Sequence, residues 1–177
     1  MNISLDAIRI RNAVSADCRQ LADWWNDGMV MAHAGFPNGI DTTPDKIARQ
    51  IANDCNEKGR TLIIEFHGRS IGEMSYRNIG NNTAEIGIKI CEADCQGKGL
   101  GRIFLSMFIK ELFSMRFTKI ILDTNLKNLR AQHIYELLGF QKIRVNYDSW
   151  RDQLGEWQSS VDYELTFEHF RDHSVNR

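Results

Sequence analysis

The chain has 177 residues with a formal net charge of -1, of which 42% are hydrophobic and 25% charged. A chain of this size buries roughly 70% of its extended surface, so we expect a single domain spanning residues 1–177. The balanced charge and the absence of a Lys/Arg run argue against binding to nucleic acid or to an anionic membrane. No segment approaches the ~20 apolar residues of a membrane span, and the polar start does not resemble a secretory signal, so a cytoplasmic protein is expected.

The four cysteines are predicted to be reduced and structural. They stand at positions 18, 55, 91 and 95, without a Cys-x-x-Cys pair and without a cluster of histidines. A zinc site needs four ligands, and the partners for such a site are missing, so we expect no metal.

The first half of the chain predicts a strand, two helices and then three antiparallel strands. Ser15 is expected to be the N-cap of the first helix, and Pro44 suits the first turn of the second, which Gly59 would end. The glycine-rich stretch between them is longer than most connections, which indicates a functional loop. The predicted elements are a strand at 8–11, a helix at 15–26, a loop at 28–43, a helix at 44–58 and strands at 61–67, 70–79 and 83–90.

The second half alternates helices with strands. Apolar residues at three-and-four spacing give a strongly striped helix after position 99, and a second striped helix stops at Gly139. The predicted elements are a helix at 100–112, a strand at 119–124, a helix at 131–138 and strands at 140–147 and 161–167. This order is typical of an α/β fold with a mixed sheet.

A glycine-rich segment, 95–102, lies between the strand at 83–90 and the long helix. It is not a Walker A loop, because Glu92 stands where the first glycine is required and Gly99 where Ser or Thr is required. It is not a dinucleotide-binding fingerprint either, because Phe104 occupies the position of the third glycine.

What remains is a tight turn that opens a helix. Glycines let the backbone wrap around an anion, and the first amides of a helix lack partners and carry a partial positive charge. A diphosphate fits such a turn, with Lys98 or Arg102 adding charge. A plain connection between strand and helix is the alternative.

Two motifs in this order resemble the GNAT family of acetyltransferases. Gln96-x-x-Gly99-x-Gly101 matches the cofactor motif of that family. The second match comprises Asn125, Asn128, Arg130-Ala131, Tyr135-Glu136 and Leu138-Gly139-Phe140. With the strand that precedes the first motif, the resemblance covers roughly residues 83–143.

The resemblance implies an α/β (α+β) fold whose mixed, mostly antiparallel central sheet is flanked by helices on both faces and splays between strands 4 and 5. It implies that acetyl-CoA lies in that splay, where a bulge at Gly87 would help. The pantetheine arm would pair with the backbone of Ile88 and Ile90 like an added strand.

The resemblance also assigns the remaining cofactor contacts. The diphosphate would meet the main chain of Gln96, Gly97, Lys98, Gly99, Leu100, Gly101 and Arg102. Asn125 and Asn128 are expected to hydrogen-bond the cofactor, although Asn128 could equally be a helix N-cap.

Amide formation needs a neutral amine and a proton for the leaving thiolate. The family commonly places a tyrosine near the cofactor sulfur, which makes Tyr135 the candidate acid, with a purely structural core role as the alternative. Glu85 is the candidate base, and a plain surface glutamate is its alternative. Asp148 and Glu73 are weaker candidates, and many relatives use no dedicated base.

The acceptor side is expected to include Trp25, Asp27 and Asp148. Together with Asp23 and Asp41, these acids could line a pocket for a cationic amine, or could be ordinary surface charges. The tryptophan-rich first helix is similar to that of aminoglycoside acetyltransferases. The segment 152–165 is similar to the last hairpin of ribosomal-protein N-terminal acetyltransferases.

These features favour an acetyl-CoA-dependent N-acetyltransferase in which a primary amine attacks the thioester directly. The acceptor would be a small cationic amine such as a polyamine or aminoglycoside. A protein N-terminal or lysine acetyltransferase acting on a peptide amine is one alternative, and a noncatalytic acyl-CoA-binding module is another. Dimerisation, common among relatives, is left open as a possible homodimer.

Overall fold

The computed structural model describes residues 1–174, which form eight strands and five α-helices. The strands are β1 Asn2–Leu5, β2 Ile8–Asn12, β3 Gly59–Phe66, β4 Arg69–Asn78, β5 Thr83–Ile90, β6 Lys119–Asn125, β7 Gln141–Arg151 and β8 Trp157–Thr166. The helices are α1 Cys18–Asn26, α2 Gly28–Met31, α3 Pro44–Ala52, α4 Leu100–Ser114 and α5 Leu129–Leu137. Among these helices none has both the length and the apolar character needed to cross a membrane.

The strands form one sheet in the order β1-β2-β3-β4-β5-β6-β8-β7. The pairings are antiparallel except β5 with β6, which is parallel and runs only from Thr83↔Lys119 to Glu85↔Ile121. Beyond Glu85 the two strands no longer pair, so the expected mixed sheet with a splay is confirmed. The splay lies between the fifth and sixth strands because β1, which the sequence analysis did not predict, adds a strand at the edge.

Helices cover both faces of the sheet because successive strand residues point in opposite directions. In β3, Leu62 and Ile64 are fully buried in the core beneath α4, whereas Ile63 between them is fully buried against α1 and α3. The helix α4 adds Phe104 and Phe108, both with no exposed surface. Burial of each such side chain is worth about 1.5–3 kcal/mol, so the two cores hold the sheet rigidly between the helices.

Two predicted helix boundaries are wrong for identifiable reasons. Ser15 is not an N-cap, because the Asp17 carboxylate accepts from the amide of Val14 (2.8 Å) and pairs with Arg11 (2.7 Å), which stabilises a 3-10 turn before α1. Gly59 does not end α3, which stops at Ala52. It opens β3 instead, where an added Cβ would lie 2.3 Å from the carbonyl oxygen of Tyr76.

The remaining differences concern a loop and a bulge. The predicted loop at 28–43 contains the short helix α2, which Asp27 caps by accepting from the amide of Met29 (2.8 Å). The bulge expected at Gly87 is absent, since β4 and β5 pair without a shift and Gly87 lies opposite Ser75.

Candidate active site

The edge of β5 that faces the splay presents unpaired backbone. The amide of Cys91, just after β5, donates to the carbonyl of Ile71 in β4 (2.9 Å). Backbone groups in an antiparallel strand alternate between the two sides, so those of Ile88 and Ile90 point away from β4 and into the splay. One acceptor is already in use, because the Gln96 side chain donates from Nε2 to the Ile90 carbonyl (2.9 Å).

The glycine-rich turn ends where α4 begins, directly after this edge. Gly97 and Gly99 both have φ near +78°, a left-handed conformation that favours glycine, and Gly99 is the N-cap of α4. Within residues 1–174, no protein acceptor bonds the amides of residues 97–102. Leu100 is 3% exposed and packs into the core, so only its main chain faces the turn. The turn therefore offers several free N–H groups at a helix N-terminus.

Three cationic residues belong to the same turn or lie near it. In the described part of the chain the Nε of Arg102 is buried without a hydrogen-bond partner, which is unusual for a buried donor. Lys98, within the turn, is exposed. Sequence analysis did not assign a role to Arg130, yet its Nη2 lies 3.7 Å from where a Cβ on Gly97 would stand. The unpartnered donor and the free amides fit a diphosphate.

The two asparagines between β6 and α5 have partners within the protein. Asn125 accepts from the amide of Lys127 (2.9 Å) and donates to Gln158 (3.1 Å). Asn128 accepts from the amide of Ala131 (3.2 Å), so its helix-capping role is observed. Contact of either side chain with a cofactor stays a prediction.

Tyr135 on α5 is buried but keeps a hydroxyl without a partner among residues 1–174. Its ring lies edge-on to Tyr163, with 5.7 Å between centroids, and 5.8 Å from Phe140. Burial, with a smaller contribution from the Asp123 carboxylate, raises the pKa of Tyr135 to about 12. The hydroxyl therefore stays protonated at neutral pH and can act as a donor.

A cavity of about 450 Å³ opens on the sheet face that carries α1 and α3. Gly87 and Ser75 are among the residues lining it, and its charged lining residues are the acids Asp54, Glu85 and Asp123 and the cations Lys58, Arg60 and Arg77. Glu85 is held by Arg77, whose Nε donates to Oε2 (2.9 Å) and whose terminal nitrogen pairs with the same oxygen.

Asp123 is a site residue that sequence analysis missed. Desolvation raises the pKa of its carboxyl, and the nearby carboxylates of Asp162 and Glu85 raise it further. Its influence on Tyr135 places it close to the candidate acid. The sequence feature that could have identified Asp123 is its position directly after the buried Leu122, where an acid interrupts the apolar run of β6.

The predicted acceptor-side residues are not brought together. Trp25 and the weaker base candidate Glu73 bond each other, Trp25 donating from Nε1 to Oε1 (3.1 Å). Asp27 caps α2 at the surface, and Asp148, also exposed, donates its amide to Ser159 (2.9 Å). None of these four lines the cavity.

The loop that follows α2 is fastened to the hairpin between β7 and β8. Gln153 accepts from the amide of Asn38 (2.9 Å) and donates to the carbonyl of Gly39 (3.0 Å). Its own amide donates to the carbonyl of Gly35 (2.9 Å). These bonds join the predicted functional loop at 28–43 to the segment 152–165, which resembles the last hairpin of ribosomal-protein N-terminal acetyltransferases.

A sheet parted beside a glycine-rich helix entry, with a cavity on the opposite face, offers separate places for a donor and an acceptor, as a two-substrate transferase requires. The model of the acetyltransferase (GNAT) domain matches residues 7–141. The chain therefore belongs to the GNAT family and is an N-acetyltransferase by that membership.

Solved structures share the fold. The spermidine N-acetyltransferase of Vibrio cholerae, in complex with CoA and spermine, is 20% identical with a TM-score of 0.81, over 93% of this chain and 98% of that one. The ribosomal-protein-alanine N-acetyltransferase of Brucella melitensis is 19% identical with a TM-score of 0.77, over 89% and 99%. YncA of Salmonella typhimurium, with its cofactor acetyl-CoA, is 22% identical with a TM-score of 0.76, over 96% and 99%. No curated protein sequence shows significant similarity to the chain.

Proposed function

We propose that the chain transfers the acetyl group of acetyl-CoA to a primary amine of a small cationic acceptor. The observation that carries the proposal is the set of unbonded amides at residues 97–102, at the start of α4 and beside the unpaired edge of β5. Two structures with the same fold contain CoA or acetyl-CoA.

The chain's own groups suggest how the cofactor is held. The amides of 97–102 would bind the diphosphate, and Arg102 would find there the partner that its buried Nε lacks. Arg130, beside Gly97, would add a second cation. The backbone of Ile88 would pair with the pantetheine arm, while Ile90 shares its carbonyl with Gln96. Bound in this way, acetyl-CoA supplies the thioester that the amine attacks directly.

Two groups, Tyr135 on α5 and Asp123 on β6, would handle protons. Tyr135 holds its proton at Oη at neutral pH, which suits it to protonate the leaving thiolate. Asp123 holds a carboxylate whose raised pKa suits it to accept a proton from an ammonium group. Glu85 remains the predicted base of the sequence analysis, but Arg77 occupies one of its oxygens. We propose that Asp123 accepts the proton and that Glu85 attracts the cation.

The carboxylates of the cavity favour a cationic acceptor. Asp54, Glu85 and Asp123 line it together with Lys58, Arg60 and Arg77, so the attraction must be local. A protonated amine would bind beside Asp123, which has the carboxylates of Glu85 and Asp162 nearby. A spermidine N-acetyltransferase complexed with spermine shares the fold, which agrees with an acceptor of this kind. The similar ribosomal-protein-alanine acetyltransferase keeps a peptide amine as the second candidate.

A thiol-release assay tests the proposal. Purified protein and acetyl-CoA are incubated with spermidine, an aminoglycoside, a peptide with an N-terminal alanine and a peptide with an internal lysine. We expect the fastest release with one of the two small cations. If thiol were released only with a peptide, the acceptor would be a peptide amine and not a small cation. If acetyl-CoA bound but no amine caused thiol release, the chain would be a noncatalytic binding module.

A further inference from the structure

The carboxylate of Glu73 is the most deeply buried acid that the proposed chemistry does not use. Glu73 lies on β4 and its side chain is 6% exposed. One oxygen, Oε1, accepts from Trp25 Nε1 (3.1 Å) and from Lys89 Nζ (2.9 Å). The carboxylate thus joins α1 to β5.

The position of Lys89 gives this contact its significance. Lys89 lies two residues after Gly87 and four after Glu85 on β5, so all three point to the same face of the sheet. That face carries the acceptor cavity, which Gly87 and Glu85 line. The Lys89 side chain is 31% exposed, so its charge is not buried away from the cavity region. An ammonium group here would repel a cationic acceptor unless it were neutralised.

A role for Glu73 as the base does not fit the structure. Both bonds converge on Oε1, and Glu73 does not line the cavity where an amine would bind. A buried carboxylate without partners is costly, and here an indole and an ammonium satisfy it.

We propose that Glu73 is a positioning residue that neutralises Lys89 and fixes Trp25. Three acids (Asp54, Glu85 and Asp123) and three cations (Lys58, Arg60 and Arg77) line the cavity, and the ion pair keeps Lys89 from tipping that balance against a cationic amine. This inference rests on the proposed function, because it concerns the same acceptor. Trp25 would then not contact the substrate through its indole N–H, as the sequence suggested, because that N–H donates to Glu73.

The test uses charge variants of the full chain. Glu73→Gln keeps an oxygen acceptor but removes the charge, and Glu73→Gln with Lys89→Gln removes both charges. Trp25→Phe removes one donor, and Trp24→Phe is the matched control, because its indole donates instead to Glu92 (2.9 Å). For each variant we would measure kcat and KM for spermidine at low and high salt, spermine binding to the complex with CoA, and the CoA Kd.

We expect Glu73→Gln to raise KM for spermidine roughly fivefold at low salt, with kcat and the CoA Kd changed by less than about twofold. The rise should shrink in about 0.5 M salt, because salt screens exposed charge. The double variant should return KM to within about twofold of the wild type. Trp25→Phe should raise KM to a smaller extent, and Trp24→Phe should leave it unchanged.

The outcomes separate this inference from the proposed function. A rise in KM that the double variant does not reverse, or that salt does not reduce, would indicate a structural role and overturn the inference. Spermine binding that follows the predicted pattern without any acetyl transfer would overturn only the proposed function. A wild-type protein that neither binds nor acetylates a cationic amine would overturn both.

Discussion

Tyr135 combines a buried ring with a hydroxyl free to donate. The rings of Tyr163 and Phe140 fix its orientation from two sides, and its pKa of about 12 keeps the proton in place at neutral pH. A general acid must meet both conditions, a fixed position and an available proton.

We predict that Tyr135→Phe lowers kcat by roughly 10²–10⁴-fold and changes the CoA Kd by less than about twofold. The ring and its packing survive the change, so only the donor is lost. The measurement is steady-state thiol release together with calorimetric binding of CoA. Tyr163→Phe is the control, since that hydroxyl donates to Glu136 (2.9 Å) and should leave kcat nearly unchanged. Full activity of Tyr135→Phe would remove Tyr135 from the mechanism.

Asp123, the proposed base, is exposed on β6 and is expected to oppose stability only slightly. Its pKa is raised by desolvation and by the charges of Asp162 and Glu85, so the folded state holds the proton more tightly than the unfolded state does. The stability that this group contributes is therefore largest at low pH and declines as the pH rises through its folded pKa.

We predict that Asp123→Asn lowers kcat/KM at least tenfold while raising Tm by no more than about 1 °C at pH 7, because solvent screens the exposed carboxylate. The stabilising effect should disappear at a pH low enough to protonate Asp123 in the wild type, because both proteins then carry a neutral group there. Thermal unfolding between pH 3.5 and pH 8 would show the difference growing with pH. If kcat/KM were unchanged, Glu85 would again be the candidate base. If the variant were less stable than the wild type at every pH, the inferred repulsion of Asp123 by Asp162 and Glu85 would be wrong.

The entry into α4 depends on main-chain geometry more than on side-chain identity. Gly99 has a left-handed conformation, and a Cβ built there meets no protein atom within 4 Å. The space beside it is therefore free for a ligand. Gly68, in the turn between β3 and β4, has a similar φ of +73° and equally open surroundings. The two glycines thus share a backbone conformation and open surroundings, but only Gly99 is the N-cap of a helix.

We predict that Gly99→Ala weakens CoA binding at least tenfold, because a methyl group would stand between the diphosphate and the amides. Gly68→Ala should leave the affinity unchanged. Both variants should lose about 1–2 kcal/mol of folding stability from the same backbone strain. Calorimetry with CoA and thermal unfolding measure the two effects. Equal loss of affinity in both variants would show that the turn entering α4 is not the binding site.

Sequence patterns predicted the internal elements well because periodicity and turn residues specify them locally. The strand at 83–90 coincides with β5, and the helix starting at 100 coincides with the start of α4. The missed β1 is short and mostly exposed, and it carries little pattern of its own. It is held by pairing with β2, which is a contact that only the folded chain provides.

The candidate site was less predictable because its environment comes from distant segments. The motif fixed the position of Tyr135 and of the turn at 97–102. Asp123 gains its character from Asp162 and Glu85, which are far from it in sequence. The partnership of Trp25 with Glu73 likewise joins residues 48 positions apart. No local pattern reports such contacts.

At the scale of the molecule, the sheet separates the two halves of the proposed site. Its α4 and α5 side carries the glycine-rich turn and Tyr135, whereas its α1 and α3 side carries the cavity proposed for the acceptor. The two sides communicate where β5 and β6 part after Glu85. A thioester and an amine arriving from opposite faces would meet at that opening, so both can be bound at once.

This arrangement predicts a ternary complex without an acetylated enzyme. A covalent route would need a reactive nucleophile, and none of the four thiols is suited to that role. Burial raises the pKa of Cys91 and of Cys18, Cys95 is 5% exposed, and the partly exposed Cys55 does not line the cavity. Initial velocities with both substrates varied should therefore give intersecting double-reciprocal lines. Labelled acetyl-CoA incubated without an amine should leave no label on the denatured protein. Parallel lines together with labelled protein would show that the acetyl group passes through a side chain, and the direct attack that the parted sheet allows would then be wrong.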